Sequence, residues 1–191
     1  MGDNSAKRIV VGISGASGIP IAVHLLKAMR DMPGLETHLV ISEGAGRTVS
    51  EETDLTVEEI AAFADCVYES SDPGAPVASG SFRTDGMIVV PCSMKTLAGI
   101  ACGYADNLLL RAADVTLKER RRLVLVTRET PLNLIHIENM ERVTRAGAIV
   151  LPPVPAFYTK PETVDDILRG FTGRILECFG LEYPEYRRWR G

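Results

Sequence analysis

The stretch Arg8-Ile-Val-Val-Gly-Ile-Ser-Gly-Ala-Ser-Gly-Ile-Pro-Ile-Ala-Val-His-Leu-Leu26 decides the fold. Its first part, residues 8–13, is an apolar run rich in Ile and Val, which reads as a strand buried on both faces. Residues 14–18 are only Ser, Gly and Ala, too small to pack a strand and suited to a tight turn. From residue 19 to 32 the apolar positions fall at helical spacing. Strand, small-residue turn and helix make the opening unit of an α/β domain.

The alternation recurs along the chain. Further strands are expected at 37–42, 86–91, 123–127 and 148–151, and further helices at 43–51, 56–64, 94–102, 108–121, 134–146 and 164–179. Near-continuous apolar strands separated by helices imply a doubly wound, mainly parallel sheet, hence a single Rossmann-like (flavodoxin-like) α/β domain. It is expected over residues 8–182, with a polar tail at 1–7 and a C-terminal tail at 183–191. A chain of 191 residues suffices for one such domain and is too short for two comfortable ones.

Apolar content of 46% and charged content of 24% are those of a globular protein. Lys and Arg total 21 against 25 for Asp and Glu, a net charge of −4, which disfavours general binding to nucleic acid or anionic membrane. The four cysteines, Cys66, Cys92, Cys102 and Cys178, form no CxxC pair, and no zinc-ligand spacing is visible. The polar start of the chain lacks a signal-peptide pattern, and no apolar run approaches the ~18–20 residues of a membrane span. A cytoplasmic protein with free thiols is expected.

In a doubly wound sheet, ligands sit beyond the carboxyl ends of the strands. Four such ends carry unusual residues. Gly12-Ile-Ser-Gly-Ala-Ser-Gly18 allows close backbone approach, and the helix start after it suits a phosphate. Its glycines fall three apart, which is not the dinucleotide GxGxxG, and a ligand-free tight turn is the plainer alternative. Pro91-Cys-Ser-Met-Lys-Thr96 offers a second hydroxyl-rich helix start, where Ser93 is equally placed as a cap. Thr127-Arg-Glu-Thr-Pro131 adjoins a cation and a carboxylate to a buried strand end. Pro152-Pro-Val-Pro-Ala-Phe-Tyr158 is a stiff turn presenting a phenol.

Taken together these segments resemble the UbiX-type flavin prenyltransferases over nearly the whole length, from Arg8 to Trp189. The resemblance rests on GISGASG (12–18), ASGSF (78–82), the run from 91 to 121, LVLVTRETPL (123–132), IHIENM (135–140) and PPVPAFYTKPETVDDI (152–167). It is especially similar to the branch associated with hydroxyarylic acid decarboxylases.

The resemblance implies a chemistry. Dimethylallyl phosphate alkylates reduced FMN at N5, and a second bond to C6 closes a fourth ring. The product serves UbiD-type decarboxylases, and no metal is needed. By resemblance, Glu129 is the acid/base, while Ser17 and Glu52 relay a proton near the flavin. Gly15, Ala16, Ser17, Ser42, Ser93, Met94, Lys95, Thr96 and Arg128 hold FMN. Tyr158, Arg174, Lys118 and Arg111 bind the leaving phosphate, where charge-assisted hydrogen bonds strengthen as charge develops. Family members assemble as dodecamers of trimers, so a homo-oligomer with sites shared between chains is expected.

Plainer readings stand beside these roles. Arg111 and Lys118 lie about two turns apart on one expected helix and would equally suit solvent. Arg174 falls on an amphipathic helix, and Glu52 follows Glu51 where a helix ends. Trp189 has three open placements: over the site, against a neighbouring chain, or unordered. His24, His38 and His136 read as structural. A phosphopantothenoylcysteine-type decarboxylase is disfavoured because Ser42-Glu-Gly-Ala45 lacks its histidine. The functional alternative is a non-catalytic flavin carrier or accessory component of a hydroxyarylic acid decarboxylase.

Overall fold

The computed structural model describes residues 6–189. The N-terminal tail expected at 1–7 therefore lies mostly outside the described residues, as do the last two residues of the tail expected at 183–191. Among the described residues, six strands form one sheet: β1 (Lys7–Ile13), β2 (Leu35–Ile41), β3 (Cys66–Tyr68), β4 (Gly86–Cys92), β5 (Arg122–Thr127) and β6 (Ile149–Val150). All neighbours run parallel, in the order β3-β2-β1-β4-β5-β6. Among the described residues the α-helices are α1 (Ile19–Arg30), α2 (Ala45–Glu52), α3 (Val57–Ala61), α4 (Met94–Cys102), α5 (Leu108–Lys118) and α6 (Leu134–Arg145) between the strands and α7 (Val164–Glu177) after β6.

The central strands β1, β4 and β5 are buried on both faces because they are apolar at almost every position, and alternate side chains feed two cores. Ile9, Val11 and Ile13 of β1 join Ile88, Val90, Val124 and Val126 beneath α1 and α7. Their neighbours Val10, Met87, Val89, Leu123 and Leu125 face the other way, against α5 and Val143 of α6. Each fully buried Val, Leu or Ile contributes about 1.5–3 kcal/mol.

Helix ends differ from the periodic pattern for local reasons. α1 stops at Arg30 although its pattern runs to 32, because Pro33 disfavours helical backbone at Met32. α5 stops at Lys118, and Arg120 takes φ 58 to turn the chain into β5. α7 stops at Glu177 ahead of Gly180, whose φ is 64. β3 was not expected: three residues carry no readable period, and only pairing with His38–Val40 of β2 makes them a strand.

The order reverses between β1 and β4. The chain builds outward from β1 through β2 to β3, then returns to build outward through β4, β5 and β6. The helices after β1 and β4 therefore diverge, opening a crevice at the carboxyl ends of these two strands.

Candidate functional site

Ser14 ties the two strand ends together at this crevice. It is 1% exposed. Its hydroxyl donates to the Pro91 carbonyl at 2.8 Å and accepts from the Ser93 N–H at 2.8 Å. Ser42 joins the same edge through its N–H, which donates to the Ile13 carbonyl at 2.9 Å, and the Arg128 N–H donates to the Cys92 carbonyl at 3.2 Å. The ends of β1, β2, β4 and β5 thus form one continuous rim.

Gly15 lets the first loop close against the second. A Cβ there would lie 2.5 Å from the Gly44 carbonyl oxygen, so no larger residue fits without moving backbone. Gly18, at φ 115, then delivers the chain into α1.

The start of α1 is not left open for a phosphate. Glu52, at the end of α2, reaches across and accepts from the Gly18 and Ile19 N–H groups at 2.8 and 2.9 Å. The Ser17 side chain lies against the same carboxylate. Burial pushes the Glu52 carboxyl up, but the Ser17 hydroxyl, the two N–H groups and the Arg128 charge outweigh it and hold it below the usual range. An ionised carboxylate therefore occupies the positive end of α1.

The first turn of α4 is different. Ser93 caps it, accepting from the Thr96 N–H at 3.2 Å and donating to the Thr96 hydroxyl at 3.1 Å. The Met94 and Lys95 N–H groups have no acceptor within the helix, since a first turn cannot supply one. Unlike the start of α1, this helix start is capped by a neutral hydroxyl, and its first N–H groups suit an anion. Cys92 beside it is fully buried, and burial pushes its thiol up to about 12, so it is no nucleophile.

At the end of β5, Thr127 is 2% exposed and its hydroxyl has no hydrogen-bond partner. Ser14 and Thr127 were not singled out from sequence; a hydroxyl where an apolar strand meets a turn is the signal that both share. Glu129 follows on the rim, exposed, with one oxygen accepting from the Thr130 N–H at 3.0 Å.

The other expected residues lie elsewhere. Tyr158 and Arg174 both line a cavity of about 1100 Å3 that runs from Leu151 and Pro152, past the end of β6, along α7. Arg174 lies about 15 Å down that helix from its start. It pairs with Glu177 at 2.6 Å, and Glu177 also accepts from Arg188 at 2.9 Å. The C-terminal segment folds back to reach this cavity: the Tyr186 ring sits where a Cβ on Gly173 would meet it at 2.2 Å. Trp189 meets Tyr158 edge-on with ring centroids 5.2 Å apart. Within the chain, Trp189 thus lies against its own Tyr158.

Arg111 and Lys118 sit on α5, away from the rim. Arg111 donates to the Ala78 carbonyl at 3.1 Å and pairs with Asp114 at 2.6 Å. Lys118 pairs with Glu119 just before β5 begins, at the amino ends of the strands. One chain therefore brings together Gly15, Ala16, Ser17, Ser42, Glu52, the Ser93–Thr96 turn, Arg128 and Glu129. It holds Tyr158 with Arg174 in a second place and Arg111 with Lys118 in a third.

Comparison with known proteins identifies relatives of the whole chain. The sequence profile of the Flavoprotein family matches residues 1–176. A probable UbiX-like flavin prenyltransferase of Streptomyces sp. (strain D7) is 57% identical over 184 residues, spanning 96% of this chain and 92% of that protein. The dodecameric FMN-dependent UbiX-like decarboxylase from Escherichia coli O157:H7 superposes with a TM-score of 0.95 at 56% identity, over 96% of this chain and 100% of that one. AnUbiX (PadA1), solved in complex with FMN and dimethylallyl pyrophosphate, gives a TM-score of 0.95 at 53% identity, over 97% of this chain and 98% of its own. Likeness at this level, over both chains almost end to end and on the same crevice-bearing sheet, decides the family: the chain belongs to the Flavoprotein family, among the UbiX-like flavin prenyltransferases.

Proposed function

We propose that this protein transfers a dimethylallyl group from dimethylallyl phosphate to N5 and C6 of reduced FMN. The prenylated product would supply a UbiD-type decarboxylase, and the proposal extends to the branch serving hydroxyarylic acids. One observation carries the reading: a rim of small and hydroxyl-bearing residues at the strand ends and a separate cavity lined by Tyr158 and Arg174, which suit two ligands rather than one.

The flavoprotein domain at 8–182 supplies the rim, where FMN enters as the prenyl acceptor. The Met94 and Lys95 N–H groups, Thr96 and Arg128 suit its phosphate, while Gly15, Ala16, Ser17 and Ser42 suit the ring system. Thr127 offers a buried hydroxyl without a partner on the same side. The allylic C–O bond breaks as phosphate leaves and the bond to N5 forms. Arg174, Tyr158, Lys118 and Arg111 stabilise the departing charge. Glu129 handles the proton as the second bond to C6 forms and the ring regains aromaticity. Glu52, ionised against Ser17, holds that hydroxyl in register with the flavin.

No single chain gathers all these groups, so the reading includes a homo-oligomer in which neighbouring chains bring Arg111, Lys118 and the Tyr158–Arg174 cavity to one another's rims. Leu134, Ile135 and Ile137 support this, exposed by 68%, 65% and 51% on α6. A cytoplasmic setting is part of the same proposal. Among the described residues, no helix is long and apolar enough to cross a membrane.

The test is anaerobic incubation with reduced FMN and either dimethylallyl monophosphate or diphosphate, then mass spectrometry of the extracted flavin. A prenylated flavin is expected. Bound but unmodified FMN with both donors would point instead to a flavin carrier.

A further inference from the structure

His38 of β2 is registered against Cys66 of β3. Side chains alternate along strands, so Glu36 and His38 emerge on one face with Cys66 and Tyr68 beside them. The carboxylate, imidazole and thiol donor atoms of Glu36, His38 and Cys66 all lie within 4.8 Å of one another.

Two details set this cluster apart from a surface ion pair. The His38 side chain is 2% exposed, and its Nε2 has no hydrogen-bond partner. That nitrogen lies 3.3 Å from Glu36 Oε1 but out of line for a hydrogen bond. The two atoms lie side by side, as donors to a shared third atom do. The remaining atoms are already fixed. His38 Nδ1 lies 2.9 Å from the Tyr68 hydroxyl. Glu36 Oε2 accepts from Arg8 Nε at 2.8 Å, leaving Oε1 for the cluster, 3.9 Å from Cys66 Sγ. The Phe82 ring closes edge-on over the imidazole at 5.2 Å.

We propose that Glu36, His38 and Cys66 form a binding site for a zinc-type divalent cation, with a water completing the coordination. Oxygen, nitrogen and sulfur donors in this combination suit zinc. A metal-bound imidazole characteristically hands its other N–H to a supporting acceptor, the part that Tyr68 plays here. The cation displaces the thiol proton of Cys66 to solvent. Asp65, which accepts from the Thr37 N–H at 2.7 Å, adds its carboxylate to that of Glu36 and the resulting thiolate, and together they balance the charges of the cation and Arg8. The site lies along the body of β2 and β3, apart from the crevice at the strands' carboxyl ends, so occupancy is read without reference to prenyl transfer.

Chelator-stripped protein titrated with cobalt(II) alone provides the test. One cobalt per chain is expected, with a thiolate-to-cobalt charge-transfer band that zinc(II) abolishes. Cys66→Ser should lose the band and Cys102→Ser should keep it. Glu36→Gln, at a partly exposed position, should weaken cobalt affinity by at least the roughly 10–100-fold that loss of a supporting partner costs. Absence of the band in the parent protein, or its persistence in Cys66→Ser, overturns the assignment.

Discussion

Replacing Glu52 with Gln separates the structural work of this carboxylate from the chemistry around it. In the folded chain Glu52 accepts two backbone N–H bonds at the start of α1 and faces the Ser17 side chain and the Arg128 charge. Gln keeps an acceptor oxygen but removes the charge. A hydrogen bond to a charged group contributes about 1.5–3 kcal/mol and a neutral one about 0.5–1.5, so two bonds lose about 2 kcal/mol together. Loss of the anion at the helix start adds about 0.3–1 kcal/mol. At a urea slope of about 2 kcal/mol/M, the unfolding midpoint should fall by about 1 M at neutral pH and fixed protein concentration. The folded pKa lies below the ordinary value of 4.5, so this stabilisation is complete above 4.5 and disappears as pH falls through the folded value. The gap between parent and variant should therefore close on acidification. Urea titrations followed by far-UV circular dichroism at neutral and acid pH measure both effects. Equal midpoints at neutral pH, or a gap that widens in acid, would refute this account of α1.

Other outcomes follow from the remaining groups. Glu129→Gln should retain FMN binding yet slow adduct formation by about 10²–10⁴-fold, measured by anaerobic flavin spectra; an unchanged rate would move the proton-handling role elsewhere. Arg174→Ala should weaken prenyl phosphate binding by roughly ten- to two-hundred-fold while FMN affinity holds, with Arg174→Lys recovering only part. Equal losses of both ligands would defeat the two-site assignment. Gly173→Ala sets a methyl into the Tyr186 ring and should release the C-terminal segment, seen as faster tail proteolysis and changed Trp189 fluorescence. A tail equally protected in both proteins would argue against that docking.

Much of this was legible in the chain itself. Apolar runs such as Ile9–Val11 and Ile88–Val90 are continuous because a parallel sheet buries both faces, so strand, helix and layer could all be read from local composition. The residues at the strand ends, Gly15 to Gly18 and Ser93 to Thr96, stood out because small and hydroxyl-bearing side chains interrupt those apolar runs. What each one does there was decided by partners distant in sequence. Glu52 appeared as a helix-ending residue and proves to cap α1 from the next helix along. The start of α1, read from sequence as suited to a phosphate, is held by a carboxylate reaching across from α2. Arg111 and Lys118 share a helix as expected, yet that helix carries Lys118 to the amino ends of the strands. Cys66 showed no partner by spacing and gained Glu36 and His38 only when β3 paired with β2. Periodicity and composition are local properties, which the sequence determines alone. Ion pairs, caps and donor clusters need two segments at one place, and only the folded chain sets which segments meet.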